Sequence, residues 1–126
     1  MILVIGGAFQ GKSAYAKEHF ETEGSWIEGE VCEFNEIFSC SGIEHFHQFV
    51  RRFLNEEELD RLPEQLVQIN PQIVIVTDEL GYGVVPVEAG DRAWREKTGR
   101  LCTRLAANAG EVHRVVCGIG MVIKNA

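Results

Sequence analysis

"ILVIGGAFQGKSAYAK", residues 2 to 17, decides the fold. Its four β-prone apolar residues stop at Gly6 and Gly7, the pattern of a strand buried on both faces that ends in a sharp turn. The spacing G-x-x-x-x-G-K-[ST] is then met by Gly6, Gly11, Lys12 and Ser13, and a helix is expected from about Lys12. Glycine lets the backbone of Gly6, Gly7, Ala8, Phe9, Gln10 and Gly11 curl so that its N–H groups converge on phosphate oxygens, with the positive end of the helix behind them. Lys12 would reach the β- and γ-phosphates, and the Ser13 hydroxyl would ligate Mg²⁺. A glycine turn alone requires neither Lys12 nor Ser13, so a phosphate cradle is the preferred reading.

Such a cradle needs an acidic group on a neighbouring strand, and "QIVIVTDE" at 72–79 supplies it. The run is β-prone and ends in two carboxylates. Asp78 is assigned to the metal and Glu79 to orienting or deprotonating an attacking hydroxyl, because adjacent strand residues point to opposite faces. Lys12, Asp78 and Glu79 are thus the candidate catalytic set. No N-K-x-D base-reading motif is present, so ATP and GTP both remain open as substrates.

The rest of the 126-residue chain fits one domain over 1–126. Apolar residues make up 45% and charged residues 25%, with three prolines, a globular composition. The formal charge of −7 disfavours non-specific nucleic-acid or membrane-surface binding. The first apolar run has no basic leader and is too short for a membrane span, and Cys32, Cys40, Cys102 and Cys117 form no C-x-x-C pair, so a cytoplasmic location is expected. A short strand is expected at 25–28 and no clear element over 29–42. An amphipathic helix is expected from Ile43 through Phe46, Phe49, Val50 and Phe53, running on towards Leu66. A helix over about 91–109, N-capped by Asp91 and closed by Gly110, precedes one or two final strands. Strands alternating with helices give an α/β three-layer sandwich around a mostly parallel sheet, of the P-loop NTPase kind.

With both motifs in place, "ILVIGGAFQGKS" and "VTDELGYGVVP" resemble the bifunctional adenosylcobinamide kinase / adenosylcobinamide-phosphate guanylyltransferase family. Glu79, Gly81, Gly83, Val85 and Pro86 match its E-x-G-x-G-x-V-P stretch. The similarity continues through Arg92, Arg95, Gly99, Arg100, Arg104, Leu105, Glu111, Val112, Gly118 and Ile119. The resemblance implies phosphorylation of the aminopropanol hydroxyl of adenosylcobinamide by a nucleoside triphosphate with Mg²⁺, then transfer of GMP through a guanylylated histidine. It also implies a corrinoid ligand and a homo-oligomer.

The chain departs from the family between about Trp26 and Phe53, where the acceptor-histidine stretch is not recognisable. His47 with Arg51 reproduces an H-x-x-x-R spacing and is the candidate guanylyl acceptor. The flank of a regular helix beside Phe46 and Phe49 is a poor site for a nucleophile, which disfavours that role. Residues 91–104 carry five basic against two acidic side chains, a net +3, and Arg95 and Arg100 are the candidate phosphate-binding pair. Two other classes compete: a nucleotide-binding or regulatory relative without turnover, and a metal module of Cys32, Cys40, His45 and His47, whose spacings match no compact zinc pattern.

Overall fold

The computed structural model describes residues 1–20, 24–80 and 89–125. The glycine-rich stretch matched at Gly81, Gly83, Val85 and Pro86 lies outside them. The described chain forms β1 (Ile2–Gly6), α1 (Lys12–His19), β2 (Trp26–Glu28), β3 (Gly42–Glu44), α2 (Phe46–Arg52), α3 (Leu62–Ile69), β4 (Val74–Asp78), α4 (Ala89–Asn108), β5 (Glu111–Val116) and β6 (Ile119–Asn125), with 3-10 turns at Phe34–Phe38 and Glu57–Arg61.

Six strands make one sheet in the order β2-β3-β4-β1-β5-β6. Every neighbouring pair is parallel except the β5–β6 hairpin. The α/β sandwich around a mostly parallel sheet is therefore present. β1 and β4 pair from Ile2↔Val74 to Gly6↔Asp78, so the glycine turn and the acidic strand end lie side by side at the carboxyl edge. This is where open α/β sheets place their ligands.

Alternation along the strands divides the core. Leu3, Ile43, Ile75 and Val112 face the larger cluster with Phe46, Phe49, Leu62, Leu66, Leu101 and Leu105 from α2, α3 and α4. Val4, Val74, Val76 and Val115 face Tyr15 and Ala16 of α1. Gly120 is required where the hairpin crosses α1, because a Cβ there would meet the Tyr15 ring at 2.1 Å. The β5–β6 turn uses Cys117 and Gly118, both at positive φ (51° and 76°), as two-residue hairpin turns demand.

The central segment differs from expectation. Gly42–Glu44 is a parallel strand, not the start of a helix. His45 then takes a left-handed conformation (φ 52°) as N-cap, and α2 stops at Arg52. The acidic run forms a 3-10 turn, and the helix restarts as α3 with Pro63 in its first turn, where a missing N–H costs nothing. Asp91 lies inside the first turn of α4 and not at its N-cap.

Candidate functional site

The loop after β1 bends through Phe9 (φ 59°) and Gly11 (φ 82°) before α1 begins. Gly6 is needed for close packing, since a Cβ there would lie 2.5 Å from the Val115 carbonyl oxygen. The far side of the loop is tied to the hairpin. The Cys117 N–H donates to Gln10 Oε1 at 2.7 Å and the Gly118 N–H to the Gln10 carbonyl at 2.8 Å.

Lys12 is 7% exposed, and its ammonium bridges the cleft. Nζ donates to the Gly7 carbonyl at 2.7 Å and lies 2.7 Å from Asp78 Oδ1. The loop and the β4 terminus are thus linked through one charge pair whose lysine is buried. Asp78 is fixed from behind by His47, whose Nδ1 accepts the Asp78 N–H at 3.1 Å and whose Nε2 lies 3.4 Å from Asp78 Oδ2. Nδ1 as acceptor requires the proton on Nε2 in the neutral ring. Burial, the largest influence, pulls the His47 pKa below its ordinary value and outweighs the opposing pull of Asp78. The His47–Asp78 contact is therefore that of a neutral imidazole, not an ion pair.

His47 is consequently buried against Asp78, a correction to its expected place on a helix flank. Its backbone is fixed too, since Trp94 Nε1 of α4 donates to its carbonyl at 2.7 Å. The half-exposed neighbour His45 also faces the cleft, with Nδ1 donating to the Glu28 carboxylate at 2.8 Å. Together Ala8, Phe9, Gln10, Gly11, Lys12, Ser13, Glu30, His45, His47 and Asp78 line a cleft of about 390 Å³. Ligand atoms of Glu28, Glu30 and His45 lie within 4.8 Å of one another, and Glu30 and His45 of this group line the cleft.

Other expected site residues fall elsewhere. Glu79 does not line this cleft; its Oε1 accepts from Arg114 Nε of β5 at 2.9 Å. Arg95 and Arg100 are on α4, away from the cleft lining, and Arg100 pairs with Glu96 at 3.2 Å on an exposed face. Cys32 and Cys40 are buried in the core, and burial raises both thiols, Cys40 to about 11, which suits packing and not metal binding. Glu28, Glu30 and the Arg114 partner of Glu79 were not singled out from the sequence. A carboxylate two residues after another at the end of a three-residue strand carries no periodic signal.

Ser13 and Asp78 lining one cleft are oxygen donors suited to Mg²⁺, as a phosphate-loop site requires. Glycine loop, buried lysine and adjacent acidic strand end define an α/β protein of the P-loop kind. The P4 protein from bacteriophage phi6, solved in complex with ADP, shares the fold, with a TM-score of 0.50 over 94% of this chain and 52% of that one at 12% identity. The family model for cobinamide kinase / cobinamide phosphate guanyltransferase matches residues 42–123, more than half of the chain, and the chain belongs to that family. It is 41% identical over 69 residues to the bifunctional adenosylcobalamin biosynthesis protein CobU of Salmonella typhimurium, a match covering 55% of this chain and 38% of that protein. It is 47% identical over 53 residues to the protein of the same name from Escherichia coli, covering 42% and 29%. The matched segments thus span less than two fifths of either relative. No helix among the described residues is long and apolar enough to cross a membrane.

Proposed function

We propose that this chain is a nucleoside-triphosphate-dependent phosphotransferase that phosphorylates the aminopropanol hydroxyl of a cobinamide. The observation that carries the reading is the pair of buried Lys12 with the partly exposed Asp78, spanning the glycine loop and the end of β4. A polyphosphate would take the place of the Gly7 carbonyl and Asp78 as partner of Lys12 and receive the loop N–H groups. Released, Asp78 would hold Mg²⁺ with Ser13, and the metal would supply charge neutralisation at the β- and γ-oxygens. The acceptor oxygen forms the new P–O bond as the bond from the γ-phosphorus to the β–γ bridging oxygen breaks. The nucleoside diphosphate leaves and Glu79 takes the hydroxyl proton. Catalysis on this account is positioning plus electrostatics.

Phosphoryl transfer from γ-labelled ATP or GTP to cobinamide, run beside Lys12→Ala, tests it. Labelled cobinamide phosphate that falls at least ~100-fold in the variant is the expected result. Tight nucleotide binding with no product sinks the phosphotransferase reading and leaves a binding protein.

One observation favours guanylyl transfer as a second activity, at His45 and not His47. Both ring nitrogens of His47 face Asp78, whereas His45 faces the cleft with Nδ1–H held by Glu28, which leaves the lone pair on Nε2. Its attack on the α-phosphorus of GTP would form a P–N bond and release pyrophosphate. Label from α-labelled GTP retained on the protein, and lost in His45→Asn, is the expected sign. Retention in that variant rules His45 out.

A further inference from the structure

A second cavity, of about 210 Å³, lies between the carboxyl end of β4 and α4, lined by Ile5, Thr77, Asp78, Glu79, Leu80, Thr98, Gly99 and Cys102. Thr77 and Asp78 also line the nucleotide cleft, so the two spaces share a wall. The volume far exceeds the ~15 Å³ one water needs.

Two features of α4 at this cavity are unexplained by folding. Thr98 is 2% exposed, yet its hydroxyl has no hydrogen-bond partner among the described residues. A buried hydroxyl left unpaired is unfavourable, and a residue of this kind awaits a partner from outside. Beside it stands Gly99 in the interior of a twenty-residue helix. A Cβ there would meet nothing within 4 Å among the described residues, so their packing does not require glycine, and helix propensity opposes it. Its absent side chain leaves the cavity mouth open.

The lining chemistry selects the occupant. Among the described residues no lysine or arginine lines the cavity, and Glu79 is already compensated by Arg114. Cys102, raised to about 12 by burial, contributes a neutral thiol. An anionic phosphate finds no counter-charge here. A short neutral arm with a hydroxyl or amide and a few carbons fits both the apolar wall and the unpaired hydroxyl.

We propose that this cavity seats the alcohol arm of the phosphoryl acceptor, with Thr98 Oγ1 bonding the arm and Gly99 admitting it. The inference rests on the phosphotransferase reading and deepens it: the arm lies against Glu79, with Asp78 common to this cavity and the cleft that would hold the nucleotide. Thr98 is a specificity residue for the acceptor and makes no contact with the nucleotide cleft.

Equilibrium dialysis of cobinamide, followed by its visible absorbance, tests this in wild type, Thr98→Val, Thr98→Ser and Gly99→Leu. A fluorescent ADP analogue is titrated in parallel. Thr98→Val removes only an unpaired hydroxyl, and Gly99→Leu improves helix propensity, so both variants fold. Cobinamide affinity should fall about 10-fold in Thr98→Val and at least as far in Gly99→Leu, while Thr98→Ser retains it and ADP affinity stays within twofold throughout. Cobinamide affinity unchanged in both Thr98→Val and Gly99→Leu overturns the proposal, as does a wild type that binds the ADP analogue and not cobinamide. Loss of cobinamide alone in the variants, with no nucleotide bound even by wild type, upholds the cavity and sinks the phosphotransferase reading.

Discussion

At the scale of single residues, the cleft is organised by what each side chain is denied. Lys12 is buried away from water and so takes Gly7 and Asp78 as partners. His47 is denied its charge and so serves Asp78 as a fixed neutral ring. The cysteines show the same sorting. Burial lifts Cys40 to about 11 and Cys102 to about 12, while Cys117 stands exposed on the hairpin turn. Only Cys117 should react within minutes with a thiol reagent at pH 8, the partly exposed Cys102 more slowly, and Cys32 and Cys40 only as the protein unfolds. Fast modification of two or more thiols in the native protein counts against this core. A folded thiol raised above its unfolded value of 9.0 contributes stability that is complete below pH 9 and lost as the pH climbs through the folded value. Urea midpoints measured from pH 8 to 11 should fall above pH 9, and less steeply in Cys40→Ala.

At the scale of elements, the strongly patterned pieces were readable and the short ones were not. β1, the glycine loop, β4 and α4 each combine a long periodic or apolar run with clear stop signals, and their expected spans agree with the structure within a few residues. β3 has three residues, and its buried Ile43 is followed by Phe46 at helical spacing, so the strand was absorbed into a helix pattern. The break comes from His45 in a left-handed conformation, a choice that tertiary contact with Glu28 supports and no local pattern announces. The same shift carried His47 from an expected flank to the back of Asp78. Segment 29–41 was opaque because its order is imposed from outside. Arg52 donates to the carbonyls of Gly29 and Cys32 at 2.7 and 2.6 Å, and Asn70 Nδ2 donates to those of Ile37 and Cys40, both at 2.9 Å. Asn70→Ala removes the donor shared by these two carbonyls, leaving that of Ile37 only its weak bond from Cys40 Sγ, and should destabilise the protein by about 2 kcal/mol, read as a drop in urea midpoint at unchanged m-value. A cost below ~0.5 kcal/mol would mean that the segment orders itself.

At the scale of the whole molecule, the phosphate loop joins three regions distant in sequence. Lys12 reaches β4, Gln10 holds the β5–β6 turn, and His47 ties the end of β4 to α2 and, through Trp94, to α4. A nucleotide seated in this loop therefore contacts only the folded arrangement, and its binding must appear as stability of the entire sheet. At a nucleotide concentration 100 times Kd the gain is about 2.7 kcal/mol. For a domain of this size that corresponds to a rise of about 10 °C in Tm. Melting curves with Mg²⁺ and either ADP or GDP should show this rise for at least one nucleotide, and the larger shift at equal concentration identifies the preferred base. Lys12→Ala should abolish the shift while its own nucleotide-free Tm changes little or falls, since the substitution leaves Asp78 without its cation. Equal shifts in wild type and Lys12→Ala would place the nucleotide outside the loop between β1 and α1, and with it would fall the reading of the cleft on which both proposed reactions depend.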